Sequence, residues 1–153
     1  MQKKINIQNK KARFEYEILD KYVAGIQLTG TEIKSIRQSK ARITESFCEF
    51  NERGELFIVN MYIEEYLYGH HFNHNPKSER RLLLNKRELR SLKKDVEAKG
   101  NTIVPLKLFI NDRGFAKLEI ALAKGKQTHD KRNVIKERDT KRDLARIKKS
   151  FNA

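Results

Sequence analysis

Apolar and polar residues alternate along much of the chain, and the alternation is broken in two places by helical spacing. Phe14, Tyr16 and Ile18 fall on one side of a first strand, and a second strand-like piece, 22–28, follows directly. Gly25 inside that piece predicts a bulge or sharp bend. Thr31 is then placed to cap a short helix whose first turn holds Glu32 and whose inner face holds Ile33 and Ile36. Segments 42–50 and 55–63 read as a hairpin turning at 51–54, with Phe57, Val59, Met61 and Ile63 on one face. Residues 66–80, with three histidines and Pro76, read as a loop. Asn85 and Glu88 form a capping box for a helix that presents Leu89, Leu92 and Val96 and stops at Gly100. A second hairpin, 102–110 with 115–123, turns at 111–114. Val104, Leu106, Leu108 and Ile110 face one way in its first strand, as do Ala116, Leu118, Ile120 and Leu122 in its second. Five or six short strands, two tight hairpins and two helices predict a mainly β fold. The expected architecture is a small closed antiparallel barrel of the oligonucleotide-binding type with flanking helices.

Charge changes this picture at both ends. The formal net charge is +14, yet it is unevenly placed. Residues 1–13 hold five bases and no acid, and 124–153 hold eleven Lys or Arg against four acids. The stretch between is nearly neutral. A flexible basic arm (1–13), a barrel (14–124) and a basic tail (125–153) are the expected organisation. The tail has no Gly or Pro after Gly125, and its carboxylates precede bases at helical spacing, as in Glu137 to Lys141. Its apolar stripe is thin, so it has little to bury on its own protein. Such a segment is expected to stay disordered until a polyanion orders it.

This is the electrostatic footprint of a nucleic-acid binder with extensions. No run of eighteen apolar residues spans a bilayer, and neither arm has the apolar face of an interfacial helix, so no membrane partner is expected. The amino terminus lacks the apolar core of a signal peptide, and the single Cys48 cannot form an internal disulfide. Both features fit a cytoplasmic location. Cys48 sits in a strand-like run and reads as a packing residue. His70, His71 and His74 match no standard zinc spacing, so neither metal nor cofactor is expected. The chain has no Gly-rich phosphate loop and no nucleophile-centred signature, and therefore no catalytic residue is assigned. Polyanion binding remains, with RNA favoured over DNA and aromatic residues in 62–74 available for stacking on bases.

Several words of the sequence are shared with one family. Asn9-Lys10-Lys11-Ala12-Arg13, Ala24-Gly25-Ile26, Leu28-Thr29-Gly30-Thr31-Glu32-Ile33-Lys34-Ser35-Ile36-Arg37, Arg81-Leu82-Leu83-Leu84, Val104-Pro105-Leu106-Lys107-Leu108, and Ala123-Lys124-Gly125-Lys126 with His129-Asp130-Lys131-Arg132 follow in order. Together they closely resemble the bacterial SsrA-binding protein family, also called small protein B. That resemblance implies a barrel that binds the tRNA-like domain of transfer-messenger RNA and delivers it to stalled ribosomes. It implies a tail that becomes helical in the empty messenger channel. Partners would be that RNA in a 1:1 complex with a protein monomer, small-subunit ribosomal RNA near the decoding centre, and elongation factor Tu through the charged RNA.

On this resemblance, Gly25, Glu32, Lys34, Arg37, Leu83 and Lys117 would meet the RNA. Lys124, Gly125, Lys126, His129, Asp130, Lys131 and Arg132 would grip ribosomal RNA. Ile135, Lys136, Arg138, Arg146, Ile147 and Lys148 would lie along the channel. Three departures stand out. Val23 replaces a glutamate common in relatives before Ala-Gly, Phe14 replaces a histidine common after the first arginine, and Lys148 stands where some relatives have methionine.

Overall fold

The computed structural model describes residues 5–125. Six strands close into a ring: β8 (Asn101–Ile110), β4 (Phe47–Phe50), β5 (Leu56–Val59), β7 (Arg80–Leu83), β2 (Tyr16–Ile26) and β9 (Ala116–Gly125), which pairs back to β8. Every pairing is antiparallel. The closed barrel that the alternation predicts is therefore present, and closure removes the open edges that a flat sheet would expose. β1 (Asn6–Gln8) extends the far edge of β8, and β3 (Ala41–Arg42) pairs separately with β6 (Tyr62–Ile63).

Helix α2 (Gly30–Arg37) contributes Ile36 to the barrel core, and helix α3 (Lys86–Val96) contributes Leu92; both side chains are fully buried. The predicted capping box of α3 forms: Glu88 N donates to Asn85 Oδ1 at 2.8 Å, and Asn85 N donates to Glu88 Oε1 at 3.3 Å. In α2 the cap is Thr29 rather than Thr31. Glu32 sits three residues after it and closes a reciprocal box that Thr31 cannot make.

Residues 5–13 are part of the fold rather than a free arm. β1 pairs with β8, and helix α1 (Lys10–Glu15) follows at once, so Phe14 is helical and not the start of a strand. Asn9 makes the join. It is buried, its Nδ2 donates to Pro105 O at 2.9 Å, and its Oδ1 accepts from Ala12 N at 3.2 Å. A second apolar cluster results on the outer face of the sheet, where Ala12 meets Val104, Leu106, Ala121 and Ala123.

Three faces differ from the simple alternation, each at a local backbone irregularity. The irregularity in β2 lies between Ile18 and Asp20, not at Gly25, which stays in register with both neighbouring strands. A second irregularity between Pro105 and Lys107 turns Val104 and Leu106 to the outer cluster while Ile103 and Leu108 face the barrel. The third is Asn60, whose φ of +66° breaks the run between β5 and β6. Leu56, Ile58, Met61 and Ile63 are consequently the buried residues, and Phe57 and Val59 are only half-buried.

Candidate nucleic-acid interface

Three of the residues singled out by sequence stand in one row across the barrel wall. Gly25 on β2 pairs with Leu83 on β7 to one side and with Lys117 on β9 to the other. Gly25 has no side chain, so the row dips between a half-exposed leucine and a lysine. A Cβ at Gly25 would come within 3.4 Å of Leu83 Cβ and would raise the floor of this dip. The dip widens into a hollow of about 370 Å³ lined by Leu28 and Ile33 beside Leu83, with Arg37 and Lys117 at its rim. Arg37 reaches there because it ends α2.

Sequence reading missed one member of this hollow, Phe115. The turn at 111–115 holds it outward: Asn111 Oδ1 accepts from Arg113 N at 3.1 Å and from Phe115 N at 2.9 Å. Gly114 takes φ +85°, which a side chain would oppose, and Phe115 is left 63% exposed. The Asn-x-Arg-Gly turn was legible; an aromatic directly after it, on the face opposite Ala116 and Leu118, was the available signal.

The other two candidates go elsewhere. Glu32 is buried and paired with Arg80 Nε, while its second oxygen accepts from Thr29 N at 2.8 Å. Arg80 also donates to the carbonyls of Met61 at 2.6 Å and Pro76 at 3.0 Å. Both carboxylate oxygens are engaged inside the protein, where Glu32 fixes the first turn of α2. Lys34 projects from another side of α2, its Nζ 5.4 Å from the centre of the Tyr66 ring.

Lys124 and Gly125 end β9, paired with Glu17 and Tyr16. With eight residue steps along β9 from Lys117 to Gly125, the hollow and the end of the strand stand on the order of 27 Å apart. Lys126, His129, Asp130, Lys131, Arg132, Ile135, Lys136, Arg138, Arg146, Ile147 and Lys148 lie outside the described residues. Val23 is 52% exposed and faces Glu119 across the strands, and Glu119 in turn lies 3.7 Å from Arg13. Phe14 is exposed on α1.

Groups with reactive potential have structural roles. Cys48 is buried, and burial pushes its thiol up well beyond the ordinary range. His74 bridges Thr31 Oγ1 at 3.0 Å and Ile63 O at 2.9 Å. Among the described residues, no three His, Cys, Asp or Glu side chains are grouped to hold a metal, and no helix is long and apolar enough to cross a membrane.

A closed antiparallel barrel with an apolar hollow rimmed by two cations and an outward aromatic defines a protein of the oligonucleotide-binding-barrel class. The family model for SmpB protein matches residues 6–150, and the chain belongs to that family. SsrA-binding protein of Flavobacterium psychrophilum is 67% identical over 151 residues, covering 99% of this chain and all of the relative. That of Bacteroides thetaiotaomicron is 53% identical over 146 residues, covering 95% and 97%. A solved structure titled "tmRNA-SmpB: a journey to the center of the bacterial ribosome" aligns with a TM-score of 0.68 at 50% identity, over 80% of this chain and 85% of that one.

Proposed function

We propose that this protein binds the tRNA-like domain of transfer-messenger RNA and delivers it to stalled bacterial ribosomes in the cytoplasm, as an adaptor without chemistry of its own. The observation that carries the reading is the row Leu83–Gly25–Lys117 under Arg37 and Phe115, in a chain 67% identical to an SsrA-binding protein. A shallow apolar floor accepts the face of an unstacked base, and the rim cations meet the flanking phosphates. This is how a tightly bent RNA elbow, with bases turned outward, is distinguished from a plain duplex.

The tail is assigned the second step. Lys126, His129, Asp130, Lys131 and Arg132 contact ribosomal RNA near the decoding centre. The following residues, 133–149, would make about 25 Å of helix in a messenger channel free of message. Message and tail compete for one anionic groove, so coupled folding turns a salt-sensitive contact into a test of vacancy.

The deciding experiment measures binding of the full chain to labelled tRNA-like domain and to a hairpin of equal length at matched salt. Selective binding to the tRNA-like domain is expected, with log affinity falling against log salt at a slope of about −4 to −5 if roughly six phosphates are contacted. Equal affinity for the two RNAs would instead mark a general RNA-coating protein.

A further inference from the structure

The loop between β6 and β7 has no part in the hollow, yet it carries the most exposed large apolar side chains of the described residues. Leu67, Tyr68 and Phe72 are 72%, 67% and 89% exposed. Their presentation is built in. Asn73 clamps the loop's base, with Oδ1 accepting from Tyr66 N at 2.9 Å and Nδ2 donating to Tyr66 O at 2.7 Å. A Cβ on Gly69 would lie 2.6 Å from that same Nδ2, so glycine at 69 is what lets the clamp close. His74 ties the far end to Thr31 and Ile63, and the Tyr66 and Tyr68 rings meet edge-on at 5.6 Å. Apolar groups held in water by a braced loop mark a contact surface rather than slack chain.

Charge selects the kind of partner. From residue 62 to residue 76 the only formally charged side chains are Glu64 and Glu65, both exposed, in a chain of net charge +14. Two cations border this stretch, Lys34 from α2 over the Tyr66 ring and Arg42 from β3 over the Tyr62 ring, and both stack on rings at the loop's base. An RNA-binding surface needs cations for phosphates, as the rim of the hollow has, and an aliphatic tip such as Leu67 stacks poorly on bases. Leucine, tyrosine and phenylalanine beside two carboxylates fit a protein surface with an apolar notch and a basic rim.

We infer that the 66–72 loop is a docking knob for such a basic protein surface on the ribosome. This rests on the delivery role proposed above. The knob offers on the order of 400 Å² of apolar surface, below what a stable complex needs by itself. It therefore acts when RNA and ribosome already hold the protein in place, through raised effective concentration.

The test uses the full chain with a photoreactive phenylalanine analogue at position 72, bound to transfer-messenger RNA on ribosomes stalled on a truncated message. The expected product is a crosslink to a basic ribosomal protein, identified by mass spectrometry. A crosslink to either RNA, a crosslink to a second copy of this chain, or none at all would overturn the inference. In parallel, the double variant Leu67→Ser, Phe72→Ser is expected to keep its affinity for the tRNA-like domain within about twofold. Tagging of stalled chains should slow about tenfold. Loss of RNA affinity in that variant, or tagging at the normal rate, would also overturn it. Failure of the unaltered protein to bind the tRNA-like domain would count against the delivery role itself, so the two failures are separable.

Discussion

Phe115 is the single side chain whose chemistry is most exposed to test. It stands outward beside Lys117 because Asn111 fixes the turn before it, and it covers little of the core. Phe115→Ala is therefore expected to leave thermal stability nearly unchanged. Stacking on a base is worth about 1–3 kcal/mol by alanine substitution, so affinity for the tRNA-like domain should fall roughly 5- to 150-fold. Unchanged affinity in a filter-binding titration would remove Phe115 from the interface. Single residues also show where sequence reading reaches its limit. Gly25, Leu83 and Arg37 were legible as candidates from shared motifs and Lys117 from the family resemblance, but periodicity could not place them together. Their convergence is set by strand register, which is decided by pairings between segments distant in the chain. Glu32 is assigned to RNA on the resemblance, and the structure adds a buried partner, Arg80, 48 residues further along the chain, that no local pattern announces.

That ion pair acts on an element. Arg80 connects β7, the 66–79 loop and the first turn of α2, and so fixes the helix that carries Arg37 to the hollow. Glu32→Gln keeps the shape of the side chain but leaves a buried guanidinium without its counter-charge. A loss of about 3–5 kcal/mol is expected in denaturant unfolding. Measured well below the melting temperature, RNA affinity of this variant should stay near that of the unaltered chain, since Glu32 does not line the hollow. A drop in affinity with the fold intact would mean that the carboxylate does contact RNA. At this scale the sequence was a good guide to strongly patterned elements. The capping box at Asn85 and Glu88 and both Asn-x-Arg-Gly hairpins formed where the pattern put them. The weakly patterned segments were not legible. Residues 6–15 show no useful periodicity because a three-residue strand and a six-residue helix are too short to display one, and their order depends on Asn9 reaching Pro105. Asn60 likewise reverses the faces of the 55–63 run through one positive φ, which a period-two pattern does not reveal.

Over the whole molecule, charge and shape divide the work. The barrel is nearly neutral and carries the hollow toward one end of β9, while the other end of β9, at Gly125, precedes a sequence with ten bases. A chain ending at Asp130 should therefore bind the tRNA-like domain almost as well as the full protein and yet fail to support tagging in a reconstituted stalled-ribosome assay. Loss of RNA binding on this truncation would show that the two ends do not act separately. The central claim, that the hollow around Gly25 receives the RNA, is tested most directly by mapping backbone amide shifts as the tRNA-like domain is titrated into the protein. The expected result is a set of shifts centred on Gly25, Leu83, Phe115 and Lys117, with the 66–72 loop undisturbed. Shifts centred on that loop or elsewhere on the barrel, with the hollow silent, would contradict it.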